Sequence, residues 1–321
     1  MWIGLLVIGC LAASALGQDC GRRTEHSRAK RIATLRVAVR GRSKPFCGAT
    51  VIGERWLLTA QHCIESWAAR HAQSTIDHAV GNNTSNTQFT IAFATTYDIQ
   101  APKAEMIRRS KSVTTYSDFA AEHPRSYAAK VRGQDIAIIE LDEPLVFSKD
   151  VQPICLRDKD KKFRYRNTSM KALGYGLVAS LKKKRKYRFP KRLQELDVMV
   201  VRPEQCFWPM HHALEELSSK SPTIYGTMRG DTIPRLLRIV RRDMICAHHR
   251  GEVKGLCSGD SGGPLMKQAA DGRWYLYGVA VLSNGNCGNP LGSSVFVDVT
   301  RQCEFIHETT RGEVDCVVAL N

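Results

Sequence analysis

After its opening run, MWIGLLVIGCLAASAL, the chain has no apolar stretch long enough to cross a bilayer, a task that takes about twenty consecutive apolar residues. It has no Cys-x-x-Cys pair, so the thiolate spacing that commonly holds structural zinc is missing. There is no internal repeat and no long Gly/Ser- or Pro-rich linker, so composition draws no domain boundary. Acid is scarce: Asp and Glu total 31 against 47 Lys and Arg, for a formal net charge of +16. Such an excess favours an anionic partner. Aromatics are too sparse among the basic stretches to stack single-stranded nucleic acid, so no nucleic-acid partner is expected. At 321 residues and 43% hydrophobic content, the chain can build a large core in one to three domains.

The opening run reads as a secretory signal. Ala15-Leu16-Gly17 is a small-x-small site, which predicts cleavage before Gln18 and a signal peptide over 1–17. VIGC resembles a lipoprotein box, but the apolar run continues past Cys10, so simple secretion is the reading taken. Removing Cys10 from the total of 11 leaves ten cysteines, an even number suited to disulfides outside the cell. Asn82, Asn83 and Asn167 each begin an N-x-Ser/Thr sequon, a glycosylation signal in a secreted chain.

Most of the chain reads as short strands. Residues 34–41, 47–60, 135–141, 193–201, 274–282 and 293–300 alternate or are rich in β-branched residues, with turn residues between them. Helical patterns are few, at 212–220, 234–242 and 301–309. Many short strands with turns predict an all-β barrel or sandwich.

CSGDSGGPL (257–265) sets a serine beside an acid with glycines on both flanks. Gly-rich turns often carry these residues for turn geometry alone. They also suit a nucleophile, because residues without side chains let backbone N–H groups approach a bound atom. A serine hydroxyl needs a base to take its proton, and His62 in WLLTAQHC is the best candidate. The base needs a carboxylate to orient it, and GQDIAIIEL offers Asp135 at the mouth of an apolar strand. Taken singly, His62 could be a packed histidine and Asp135 a strand-entry turn residue.

In the order His62, Asp135, Ser261, these segments resemble the chymotrypsin-fold, trypsin-like serine proteases. TAQHC, DIAIIEL and CSGDSGGPL stand where that family carries TAAHC, DIALL and GDSGGP. FCGATVI, VQPICL, LGYG (for the family's GWG), MICA and VFVDVT add secondary matches, and the likeness spans roughly residues 20–310. The resemblance implies two six-stranded antiparallel β-barrels with a short C-terminal helix. The domain would occupy 32–321, with barrels over about 32–147 and 160–300, behind an N-terminal activation segment at 18–31. It implies His62 as general base and acid, Asp135 as its partner, Ser261 as nucleophile, and the N–H groups of Gly259 and Ser261 as oxyanion hole. It also implies the disulfides Cys47–Cys63, Cys206–Cys246, Cys257–Cys287 and Cys20–Cys155, which leaves Cys303–Cys316 as a local bridge. Protein or peptide substrates and protease inhibitors would be the partners, with no cofactor.

The chain also departs from the family. It has no IVGG, the sequence whose freed amine pairs with the acid before the nucleophile, here Asp260. Arg23-Thr24, Arg28-Ala29 and Arg31-Ile32 are candidate cuts. Strand spacing favours a new terminus near Thr24, and side-chain chemistry favours Ile32. The base of the specificity pocket is Gly255 rather than an acid, with Ser283 and Ser294 as walls by direct spacing, so an uncharged P1 residue (the one before the scissile bond) is expected. The substrate strand is then 281–283, or 283–285 if a two-residue bulge intervenes. KKKRKYRFPKR (182–192) holds eight Lys/Arg and no acid. Arg235, Arg238 and Arg242 share one face of a helical pattern at 234–242. Both segments are expected to favour an anionic glycan. The pairs His211/His212 and His248/His249 are adjacent in sequence, a poor arrangement for shared ligation, so no metal is expected. The alternative to a secreted endopeptidase is an inactive homologue that binds anionic glycans or membranes. A nuclease has no supporting motif.

Overall fold

The computed structural model describes residues 20, 32–39, 42–65, 90–93, 107–126, 134–148, 151–158, 167–180, 186–202, 205–206, 243–249, 255–283 and 292–317. In chain order the strands are β1 (Ile32–Val39), β2 (Arg42–Val51), β3 (Trp56–Thr59), β4 (Thr90–Phe93), β5 (Ile107–Thr115) and β6 (Ala137–Leu141). These close into a barrel in the order β1-β2-β3-β6-β5-β4, every pair antiparallel. There follow β7 (Cys155–Arg157), β8 (Ser169–Gly174), β9 (Val178–Ser180), β10 (Lys186–Arg188), β11 (Gln194–Val201), β12 (Met244–His248), β13 (Pro264–Gln268), β14 (Trp274–Ser283), β15 (Ser293–Asp298) and β16 (Cys316–Val317). In the second half β13-β8-β11-β12-β15-β14 forms a ring, closed by the β13–β14 pairing. Outside β14, β7 and then β16 add on in parallel. The expected pair of six-stranded barrels with a short C-terminal helix, Cys303–Thr309, is the observed architecture.

The first barrel shows why its strands read so apolar. β3 and β6 are buried at every position instead of alternating. One face fills the barrel, and the C-terminal segment covers the other. Phe305 meets Tyr116 and Phe119 edge-on, with ring centroids 5.4 and 5.2 Å apart. The Arg311 guanidinium lies 5.5 Å over the Trp56 ring, and Trp56 Nε1–H donates to Glu313 Oε2 at 2.8 Å. Each large apolar side chain so covered contributes roughly 1.5–3 kcal/mol. Glu140 on β6 is buried yet satisfied by Lys111 Nζ (2.7 Å), Ser112 Oγ (3.0 Å) and Arg311 (3.2 Å). Burial pushes its carboxyl pKa up, but these donors outweigh that and hold it below its ordinary value.

The structure also departs from the strand pattern in places. The apolar stretch 47–60 is two strands, because the chain turns at 53–55, where Ile52 and Gly53 N–H both donate to Trp56 O. A helix, Tyr116–Glu122, opens on a capping box: Thr115 Oγ1 accepts from Asp118 N while the Asp118 carboxylate accepts from Thr115 N. β5, rich in charge, escapes the apolar pattern but still buries Ser110, Val113 and Thr115. The expected helices at 212–220 and 234–242 lie outside the described residues.

The two barrels share a core. Leu173, Tyr175, Met266, Leu276 and Val297 belong to the same buried cluster as Leu57 and Ile138. Backbone bonds cross between the halves from Ile154 N–H to Val51 O (3.0 Å) and from Gly48 N–H to Ser261 O (2.7 Å). The second of these ends on the residue before which the acid Asp260 stands.

Candidate active site

His62 lies just past β3, in the short helical turn 61–65, and Cys63 beside it is bonded to Cys47 on β2. Asp135 precedes β6, the strand paired with β3. The β3–β6 pairing therefore brings together two residues far apart in sequence. Asp135 Oδ1 accepts the His62 backbone N–H at 2.8 Å, and Oδ2 sits 2.6 Å from His62 Nδ1. One carboxylate thus fixes both the backbone and the ring. Burial alone would lower the His62 pKa. The hydrogen bond and charge of Asp135, with the charge of Glu65, outweigh burial and raise it above its ordinary value. Nδ1 is then the protonated nitrogen in the neutral ring, which leaves Nε2 free to accept a proton.

Ser261 sits in a loop clamped from several sides. Gly262 has φ +80°, and a β-carbon there would stand 2.2 Å from Gly48 O and 2.3 Å from Thr59 Oγ1. Only glycine allows that approach. It seats the serine loop against Ala60, two residues before His62. Thr59 Oγ1–H donates to Gly48 O at 2.8 Å, and Gly262 N–H donates to Ala280 O at 2.7 Å. Among the described residues neither the Gly259 nor the Ser261 N–H has an acceptor in the protein. Gly259 has φ +100°. These two amides are therefore available donors for an anion formed at Ser261. Among the described residues no hydrogen bond joins Ser261 Oγ to His62 Nε2, which lies 3.9 Å from Cys63 Sγ.

Asp260 turns inward. Its Oδ1 accepts from Gly176 N–H at 2.7 Å and Oδ2 from Cys257 N–H at 2.9 Å. Among the described residues no cation meets it. Desolvation pushes its pKa up to about 6, against the opposing pull of the two donors.

A family model for trypsin matches residues 23–306. The chain belongs to the trypsin family. It is a serine endopeptidase by that membership, with 27% identity to human testisin over 317 residues, covering 92% of this chain and 82% of testisin. Rat transmembrane protease serine 9 is 29% identical over 278 residues (85% of this chain, 20% of its own length). Human atrial natriuretic peptide-converting enzyme is 27% identical over 300 residues (90% and 23%). The chain thus spans most of testisin but only about a fifth of the other two. Two of the three names contain an activity against a peptide or protein, and one describes a transmembrane protease. Among the described residues no helix is long and apolar enough to cross a membrane.

Against the trypsin-family pattern, the structure gives these positions for the remaining residues. Cys20 is bonded to Cys155, Cys206 to Cys246 and Cys303 to Cys316. Cys257 is disulfide-bonded, and Cys287 lies outside the described residues. Two Cys/His groups, Cys47-His62-Cys63 and Cys206-Cys246-His248, come close enough to suggest a metal, but disulfides occupy their sulfurs. Gly255 and Ser283 are half-buried, while Ser294 is 0% exposed and its Oγ has no hydrogen-bond partner among the described residues. β14 runs unbroken to Ser283, with a one-residue irregularity between Ala280 and Leu282. Ile32 opens β1 opposite Thr50 and is buried. Asn167 is exposed at positive φ. Asn82, Asn83, His211 and His212 lie outside the described residues.

Sequence reasoning missed several contacts. Gly176 holds Asp260, and only the LGYG segment hinted at it. Gln61, where the family has alanine, bonds Glu65 (2.7 Å) and Ser117 Oγ (2.8 Å), tying the His62 turn to the helix Tyr116–Glu122.

Proposed function

We propose that this chain is a secreted endopeptidase in which Ser261 attacks the scissile carbonyl and His62 takes its proton. His62 then returns the proton to the leaving amine, and water hydrolyses the acyl-enzyme. The observation that carries this reading is the double hold of Asp135 on His62, which leaves Nε2 as the accepting nitrogen. Gly259 and Ser261 N–H would hold the oxyanion, each donor worth about 3 kcal/mol in the transition state. The even cysteine number and the signal-like start support export, and exposed Asn167 supports glycosylation. A fluorophosphonate probe on secreted, processed protein is expected to label Ser261. No labelling would remove the endopeptidase reading in favour of the non-cutting homologue.

Specificity follows from the pocket. Gly255 brings no acid, and a P1 Arg or Lys would bury a cation without a partner, which is costly. β14 extends through 281–283, which supports that segment as the substrate strand, with Ser283 and Ser294 as uncharged walls. A library of peptides varied at P1 is expected to show uncharged residues preferred; a profile dominated by Arg is the contrary result. An anionic glycan at 182–192 and 234–242 rests on charge alone, and 234–242 lies outside the described residues.

Activation is read from Asp260. Ile32 is locked into β1, so an amine freed near Thr24 is the better partner for the buried carboxylate. In the uncut chain Asp260 stays protonated in the fold while its unfolded counterpart ionises, so stability falls as pH rises from about 4 to about 6. The penalty reaches about 3 kcal/mol and is constant above that range. Pairing with a new ammonium lowers the folded pKa and removes this loss. Melting temperatures of uncut and cut protein, each compared with Asp260→Asn across pH 4–7, should therefore show the fall between about pH 4 and 6 in the uncut protein and a nearly flat profile in the cut one. Parallel slopes would show that no amine reaches Asp260.

A further inference from the structure

The β9–β10 hairpin is fastened to the loop that carries Ser261. It follows β8 and leads into β11, and its base is bonded to the serine loop. Gly176 N–H donates to Asp260 Oδ1 at 2.7 Å and Leu177 N–H to Ser258 O at 2.9 Å. On the returning side, Phe189 lies over Gly259, so close that a β-carbon at Gly259 would stand 2.9 Å from the ring edge. Arg188, which ends β10, is exposed, and so are Lys191 and Arg192. Together 182–192 contains eight Lys/Arg and no acid.

Ser261 is thus held between two elements. β14 grips it through Gly262 N–H to Ala280 O (2.7 Å) and Ala280 N–H to Gly263 O (2.9 Å). The hairpin grips the other end of the same loop through Ser258, Gly259 and Asp260. In the function proposed above, the acyl half of the substrate lies along the end of β14 at 281–283. The leaving half must then run out past Gly259, across Phe189 and among the cations of the hairpin.

We propose that the β9–β10 hairpin binds the leaving-group half of the substrate and selects polypeptides with Asp or Glu in the residues just after the scissile bond. This rests on the endopeptidase reading. Phe189 supplies an apolar platform next to the oxyanion amides, and Arg188, Lys191 and Arg192 supply the charge. Because these cations are exposed, the selection weakens with salt, over a screening length of about 8–10 Å at physiological ionic strength.

The test uses secreted, processed protein and peptides identical up to the scissile bond. Beyond it they carry Asp/Glu, Asn/Gln or Lys at the second to fourth positions. At low salt the acidic peptides are expected to show kcat/KM about tenfold above the neutral ones, and the gap should close at high salt. The double charge reversal Arg188→Glu/Lys191→Glu should invert the order in favour of Lys peptides. Both peptides meet the same protein sample, so partial loss of fold cancels in the ratio. Equal rates for acidic and neutral peptides in the unaltered protein would overturn the proposal, as would an acidic preference that survives the reversal. Heparin retention lost on reversal, without any acidic preference, would make the hairpin a glycan site instead. Fluorophosphonate labelling without acidic preference removes only this proposal. Absence of both labelling and cleavage removes the endopeptidase reading with it.

Discussion

Replacing Ser261 with alanine is expected to lower kcat for peptide hydrolysis by about a millionfold, leaving only the catalysis that binding and oxyanion donors supply. The fold should not suffer. Among the described residues Ser261 Oγ makes no hydrogen bond, and the clamp on its loop uses the Ser261 carbonyl, Gly262 and Gly263, all backbone. Melting temperature should therefore move by a degree or two while activity disappears. Unchanged turnover would show that the chemistry lies elsewhere. Lost turnover with a large fall in melting temperature would show that the serine is structural.

The second large effect concerns Asp135. An asparagine in its place can still accept the His62 backbone N–H through its carbonyl oxygen. Its amide nitrogen then faces Nδ1 and donates to it. That forces the proton onto Nε2, where it blocks acceptance from Ser261. A loss of about ten-thousandfold in kcat/KM is expected. The pH profile adds a sign. In the unaltered protein His62 titrates above its ordinary value, so kcat/KM should rise with pH through a limb above 6.5. Without the Asp135 charge and hydrogen bond, burial dominates and the limb should move to lower pH. The same coupling stabilises the fold below about pH 6.5 and fades as pH rises through the raised folded pKa. A residual activity whose acid limb stays in place would show that Asp135 does not govern the His62 proton.

The candidate site was legible where chemistry forces particular residue types into short segments. GDSGG, the histidine before Cys63 and the aspartate entering an apolar strand could each be found without coordinates. The strands β6, β14 and β15 were legible because both their faces are largely covered, which makes them rich in apolar and β-branched residues despite the buried Glu140 and Ser294. β5 was not, since its outward positions carry Arg109 and Lys111, and its inward ones include Ser110 and Thr115. The helix Tyr116–Glu122 could have been found from Thr115 and Asp118 at capping-box spacing. Phe189 over Gly259 had no sequence signal. That contact joins residues seventy positions apart and depends on how a charged hairpin leaves the second barrel.

Both ends of the described chain converge on β7, a strand of three residues. Cys20 is bonded to Cys155 at its start, and Cys316 and Val317 pair alongside Leu156 and Arg157. Tension applied between residues 20 and 317 would enter β7 at its first residue and leave β16 at its last. The two strands are parallel, so that load would shear their hydrogen bonds together rather than peel them one by one. The path would bypass both barrels and the cleft with His62 and Ser261. In a chain tethered at one end and pulled at the other, β7 would act as a strain relief that isolates the catalytic geometry from the load.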